Sequence, residues 1–173
     1  EAEAAYEDFL EKENQTKLLA MGVNDRTVRE LLRNKWFTPT LQTALVARLE
    51  VLSKLKGLDG VVAMAAATQG EVRARFLLES LANLAVYHQK KEHLTQIRMS
   101  NLVPVGVAAD GEIVASIAID YGTWDKDATA FVQRKELNAP KKTLPVAGKL
   151  SPRAALMTSK AGWRVISELR QTM

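Results

Sequence analysis

Cysteine is absent from this 173-residue chain, histidine occurs only twice, and aromatic residues make up 6% of it. Without a thiol there is no disulfide, no thiolate zinc site, no iron–sulfur ligand and no cysteine nucleophile. The two histidines, His88 and His93, lie five apart with Glu92 between them. Zinc helices space their histidines four apart, with a glutamate directly after the first. A spacing of five points the rings roughly 140° apart on a helix. Structural or surface roles are therefore expected, and a helix C-terminus favours a positive imidazole through its dipole.

Long apolar runs are missing too. The longest, Val61 to Ala67, is alanine-rich and far short of the roughly 18 residues of a membrane span. No Gly-x-Ser-x-Gly elbow and no Gly-x-Gly-x-x-Gly phosphate turn occurs. Gly148-Lys149-Leu150-Ser151 has the look of a phosphate-loop ending, but the upstream glycine is not there. Nothing in the chain signals a cofactor or a metal.

What remains is an ordinary soluble composition, 47% hydrophobic and 25% charged, long enough for one domain with a core of its own. The chain opens at Glu1 rather than methionine. That start fits a mature exported form, a fragment or a processing scar, and export is the expectation adopted. The net charge of +4 hides an asymmetry. Glu1, Glu3, Glu7, Asp8, Glu11 and Glu13 face only Lys12 at the start. From Tyr121 onward ten lysines and arginines face Asp125, Asp127, Glu136 and Glu168.

Local signals define the elements. Residues 4–21 read as a helix with Tyr6, Phe9, Leu10, Leu18 and Leu19 as anchors, and Gly22 as its stop. Asn24 caps a short helix to Arg33, and Trp36-Phe37 is expected to plug the core. Thr38-Pro39 opens a helix with Leu41, Leu45, Leu49 and Leu52 on one face. The small residues before Ala67 let helices approach closely, and Thr68 with Glu71 has the spacing of a capping box. The helix from there to about Lys90, with Val72, Phe76, Leu77, Leu81 and Leu84 inward, is the expected spine.

Then the period changes. Leu102–Ala109 and Glu112–Ile119 flank Asp110-Gly111, which predicts a hairpin with a type I′ turn. Its second strand is apolar almost throughout, as burial on both faces requires. A helix is expected from Trp124 to about Glu136, an irregular stretch over 138–150, and a helix opened by Ser151-Pro152 and closed by Gly162. Trp163–Leu169 is expected to return as a third strand. The predicted fold is α+β: an N-terminal layer of four to five helices packed with a small two- to three-stranded antiparallel sheet. Residues 1–98 form a helical subdomain and 99–173 an α+β subdomain with the hairpin, together one compact domain.

Carboxylates offer the remaining chemistry. Asp125 and Asp127 flank Lys126, with Asp120 close by, and a first helical turn explains acids there. Asp110 and Glu112 fall to turn chemistry. The expected function is a non-catalytic protein–protein interaction or assembly module of an exported or envelope-associated complex. A partner protein would use the acidic start, the basic end or the open edge of the small sheet. Two alternatives stay open. One is nucleic-acid or anionic-surface binding through Lys135, Lys141, Lys142, Lys149 and Arg153. The other is an enzyme whose site is assembled only by the fold, for which Asp120, Tyr121, Trp124 and His88 are the first residues to test. Homo-oligomers are compatible with all three.

Overall fold

The computed structural model describes residues 1–170. Five helices come first: α1 (Ala2–Ala20), α2 (Asp25–Arg33), α3 (Pro39–Val51), α4 (Leu58–Ala67) and α5 (Glu71–Lys90). Strands β1 (Leu94–Ser100), β2 (Val103–Ala108), β3 (Ile113–Ala115) and β4 (Tyr121–Gly122) follow. Then come α6 (Lys126–Val132), a 3₁₀ turn (Lys135–Leu137), β5 (Lys142–Pro145), β6 (Lys149–Leu150), α7 (Pro152–Lys160) and β7 (Trp163–Ile166).

The α+β class and the helical first half stand, but the sheet is larger than expected and mixed. Five strands run in the order β1-β2-β3-β5-β7. The first three are antiparallel, whereas β5 runs parallel to β3 and β7 parallel to β5. Parallel neighbours need a crossover, and α6 and α7 supply the two. Trp163–Ile166 is the strand expected there, yet it pairs with β5 and not with the hairpin. Strand β4 forms a separate parallel ribbon with β6.

Most cap signals work as read. Asn24, Thr38 and Ser151 each accept a backbone N–H inside the helix they open. The capping box does not form: α5 starts from Gly70, and the Thr68 hydroxyl donates to Met64 O at 2.7 Å. Asn34 completes that end of α4, its Nδ2 lying 2.8 to 3.1 Å from the carbonyls of Ala65, Ala66 and Thr68. The hairpin turn also differs. Only Gly111 has positive φ, at 89°, and Asp110 instead accepts from Glu112 N through Oδ1 at 2.9 Å. One positive φ is not the type I′ pair.

The apolar predictions divide in the same way. Phe37 is fully buried while Trp36 stays 39% exposed. Tyr6 and Phe9, expected as anchors, are 61% and 59% exposed, and Val72 is 83% exposed. The polar middle of α1 docks through a polar contact: buried Asn14 donates to Thr43 Oγ1 at 3.1 Å on α3.

Two apolar clusters lie on opposite faces of the sheet. Leu77, Leu81 and Leu84 of α5 join Leu45, Val61, Ile97 and Val114 on one side. Ile113, Ala115, Leu144 and Trp163 join Phe131 of α6 on the other. Alternate β3 residues thus enter different cores, which is the two-sided burial its sequence predicts. The β1 edge is closed by the loop before α4, where Ile97 N donates to Lys56 O at 2.8 Å and Lys56 N to Thr95 O at 3.1 Å. That edge is not open to a partner strand.

Candidate functional site

The second face of the sheet is incompletely covered. Between it, α6 and α7 lies a cleft of about 390 Å³, within the range of ligand sites. Its floor is apolar, made by Val103, Ile117, Ile119 and Leu144, with Phe131 and Leu150 as walls. Tyr121, 60% exposed, and Trp124 stand at its mouth. The β4–β6 ribbon presents Tyr121, and the tight approach of Gly148 to Asp120 holds that ribbon. A Cβ on Gly148 would lie 1.9 Å from Asp120 O.

The charged groups lining the cleft are two acids and one arginine. Asp125 caps α6, Oδ1 accepting from Ala128 N at 2.8 Å, so its other oxygen is available. Asp127 lies two residues further, in the first turn of α6, and is exposed. The positive group at the cleft, Arg134, is tied down: Nη1 donates to Ser100 Oγ at 2.8 Å and to Ser100 O at 3.1 Å. Its guanidinium also sits 5.0 Å from the Phe131 ring centroid. No histidine, lysine or serine is among the described residues lining the cleft.

Of the residues proposed for an enzyme, Tyr121 and Trp124 come together here. Asp120 sits beside a separate shallow depression with Phe76 and Ala147. His88 is elsewhere, at the end of α5, where Nδ1 accepts from Leu94 N at 2.9 Å. Because α5 stops at Lys90, the chain folds back and the two histidine rings meet at 5.3 Å between centroids. Helical spacing arguments therefore do not govern that pair.

Burial, and then the neighbouring His93, push the His88 pKa below its ordinary 6.5. The native state thus binds this proton less readily than the unfolded chain. His88 therefore leaves stability intact above about pH 6.5 and removes it as pH falls from there toward the lowered native value. Urea unfolding from about pH 7.5 to about pH 5.5 should show a steeper loss in the wild type than in His88→Gln. Parallel slopes would mean that the Leu94 contact does not depend on the neutral ring.

The five basic candidates differ in their immediate partners. Lys141 lies 3.4 Å from Glu112 and 3.8 Å from Asp110. Lys142 donates to Ala161 O at 3.0 Å and lies over the Trp163 ring. Lys149 is 3.7 Å from Glu168. Lys135 and Arg153 are exposed, in the 3₁₀ turn and the first turn of α7. Only Lys141 and Lys142 share a depression, with Arg164, at the starts of β5 and β7.

A second titratable group escaped the sequence reading. Glu112, assigned to the turn, is 1% exposed. Burial alone would raise its pKa. Hydrogen bonds from Thr143 and Glu92 and the charge of Lys141 outweigh that and hold it below the usual carboxylate range. Glu92 moves the other way, raised mainly by the hydrogen bond it shares with Glu112. Burial, reinforced by the charges of Glu112 and Glu92, pushes the Tyr87 phenol up to about 12. The charge next to an apolar strand was the available signal, but burial of a turn residue is set by its tertiary neighbours.

No helix among the described residues is long and apolar enough to cross a membrane. No family model matches the chain, and neither curated proteins nor solved structures provide a match.

Proposed function

We propose that the protein is a non-catalytic module that binds another protein, taking an apolar side chain flanked by basic residues into the cleft under α6. The observation carrying this reading is where the acids lie. From Tyr121 onward the chain has only four, and Asp125 and Asp127 both sit at the mouth of the apolar cleft. An apolar floor gives affinity, and two carboxylates beside Tyr121 and Trp124 select positive charge by Coulomb and cation–π attraction. The cleft volume suits one or two side chains rather than a large cofactor. Catalysis is the weaker reading, because the carboxylates lack a nucleophile–base pair in contact.

Fluorescence anisotropy with labelled hexapeptides that alternate leucine and arginine tests this, beside the same peptides with glutamate for arginine. Saturable binding of the basic series is expected, with the acidic series at least about tenfold weaker. Tyr121→Ala, and Asp125→Asn combined with Asp127→Asn, should each weaken binding about tenfold. Asparagine preserves the α6 cap, so the pair tests charge and not folding. Equal binding of both series, or of neither, removes the proposal.

A further inference from the structure

We infer that the outer face of α1 is a docking surface for a basic amphipathic helix of another protein. It shares no residue with the cleft under α6 and does not depend on it. At about 100° per residue, Glu7, Glu11, Asn14 and Leu18 fall on one side of α1. That side meets the body: Asn14 and Leu18 are buried, and Glu7 and Glu11 border a groove with Phe37 and Gln42. Ala2, Ala5, Tyr6 and Phe9 fall on the other side, at the i, i+3, i+4 and i+7 positions of an apolar stripe.

The first turns of α1 thus carry their polarity reversed. Glu7, Glu11 and Asn14 turn toward the protein, while two aromatic rings turn toward solvent. Tyr6 is 61% and Phe9 59% exposed, and every residue from Glu1 to Phe9 is exposed. Large side chains at this spacing form the stripe that a second helix buries. Two helical turns with no packing of their own are also marginal in water, and a partner helix would stabilise them.

Charge decides the occupant. Residues 1–13 hold six acids and one lysine. Among the described residues, Glu1, Glu3, Glu7, Asp8 and Glu11 have no ion-pair partner, and the first pair along the helix is Glu13 with Lys17 at 3.1 Å. A second copy of α1 would set acidic flank against acidic flank, which opposes self-pairing. A helix with leucines on one stripe and lysines or arginines beside it answers both features. Its leucines bury the rings, and its cations meet the carboxylates and the aromatic faces.

Fluorescence anisotropy in a Tyr121→Ala background, where the cleft is disabled, is the test. The probe is a labelled peptide of about 18 residues, built from leucine, alanine and lysine with its leucines on one helical stripe. Saturable binding is expected, weakened at least about tenfold by Tyr6→Ser combined with Phe9→Ser. Both side chains are exposed, so the pair leaves the fold intact, and an unchanged urea midpoint checks this. A peptide of the same composition with its leucines dispersed, and one with glutamate for lysine, should each bind at least about tenfold more weakly. Undiminished binding to the serine pair, or equal binding of the dispersed peptide, would mean that charge alone attracts the probe and would overturn the assignment. Equal binding of the glutamate peptide would remove the basic partner. Sedimentation showing a dimer that the serine pair abolishes would make a second copy the occupant instead. Absence of binding ends the inference and leaves the cleft reading to its own test.

Discussion

Replacing Gly57 with alanine is expected to cost the fold about 3 kcal/mol or more, read as a lower urea midpoint with an unchanged slope. Gly57 has φ +107°, in the region L-residues avoid, and a Cβ there would lie 2.0 Å from Ile97 O and 3.2 Å from its carbonyl carbon. Both obstacles are backbone, so no side chain can move aside. The loop would have to lift from β1, breaking the pair of bonds that Lys56 makes with Thr95 and Ile97. That exposes the sheet edge that the loop covers, and aggregation of the variant is a second expected outcome. Gly60 is the control. It lies three residues on, inside α4, with nothing within 4 Å of a Cβ. Gly60→Ala should stabilise by about 0.5–1 kcal/mol, as helix propensity dictates. Were Gly57→Ala to fall within about 1 kcal/mol of the wild type, the loop would not be closing the edge.

Local chemistry explains which parts of this fold were legible. Helix starts were readable because a cap is a contact between near neighbours: Asn24, Thr38 and Ser151 need no tertiary information. Thr68 failed for a related reason. Its hydroxyl had two local options, and the Met64 carbonyl of the preceding helix won over the start of α5. The missed strands are short or one-sided. In β1 only Leu94, Ile97 and Ser100 are buried, so the segment carries no alternation to detect. Strand β5 has four residues, begins with lysine and ends with proline, and is a strand because β3 and β7 bracket it. Parallel pairing is a property of the crossovers, which no window of sequence contains. Tyr6 and Phe9 show the converse: apolar residues at helical spacing that stay exposed because they lie on the side of α1 away from its neighbours.

The cleft was legible only in pieces. Tyr121 and Trp124 could be singled out, and Asp125 was correctly a cap, but the floor they stand over comes from β2, the segment after β3, and β5. Concavity arises where α6, at seven residues, is too short to cover the sheet beside it. The same physical limit hid the acidic cluster. Charge at a turn is ordinarily solvated, and whether it is buried depends on what the rest of the chain lays over it. Here Thr143 and Lys141 come from a segment that reads as irregular, so neither partner of Glu112 was visible.

Those partners lead to the second large effect. Thr143→Val is expected to cost roughly 2–3 kcal/mol in urea unfolding. Thr143 is 1% exposed and its hydroxyl is the hydrogen-bond donor to the buried Glu112 Oε2. Valine has the same shape and a strand propensity at least as good, and β5 would keep its pairing with Val114 and Arg164. Backbone and packing therefore predict no loss, and what remains is a carboxylate left without its internal donor. Lys141 cannot replace it at full strength, being 63% exposed and screened by solvent. Glu112→Gln supplies the discriminating cycle. In that background the charge is gone, so Thr143→Val should cost distinctly less, leaving a coupling of about 1 kcal/mol or more between the two positions. Additive losses would mean that Thr143 stabilises β5 by packing alone. A Thr143→Val cost below about 1 kcal/mol would mean that Lys141 already compensates the buried charge.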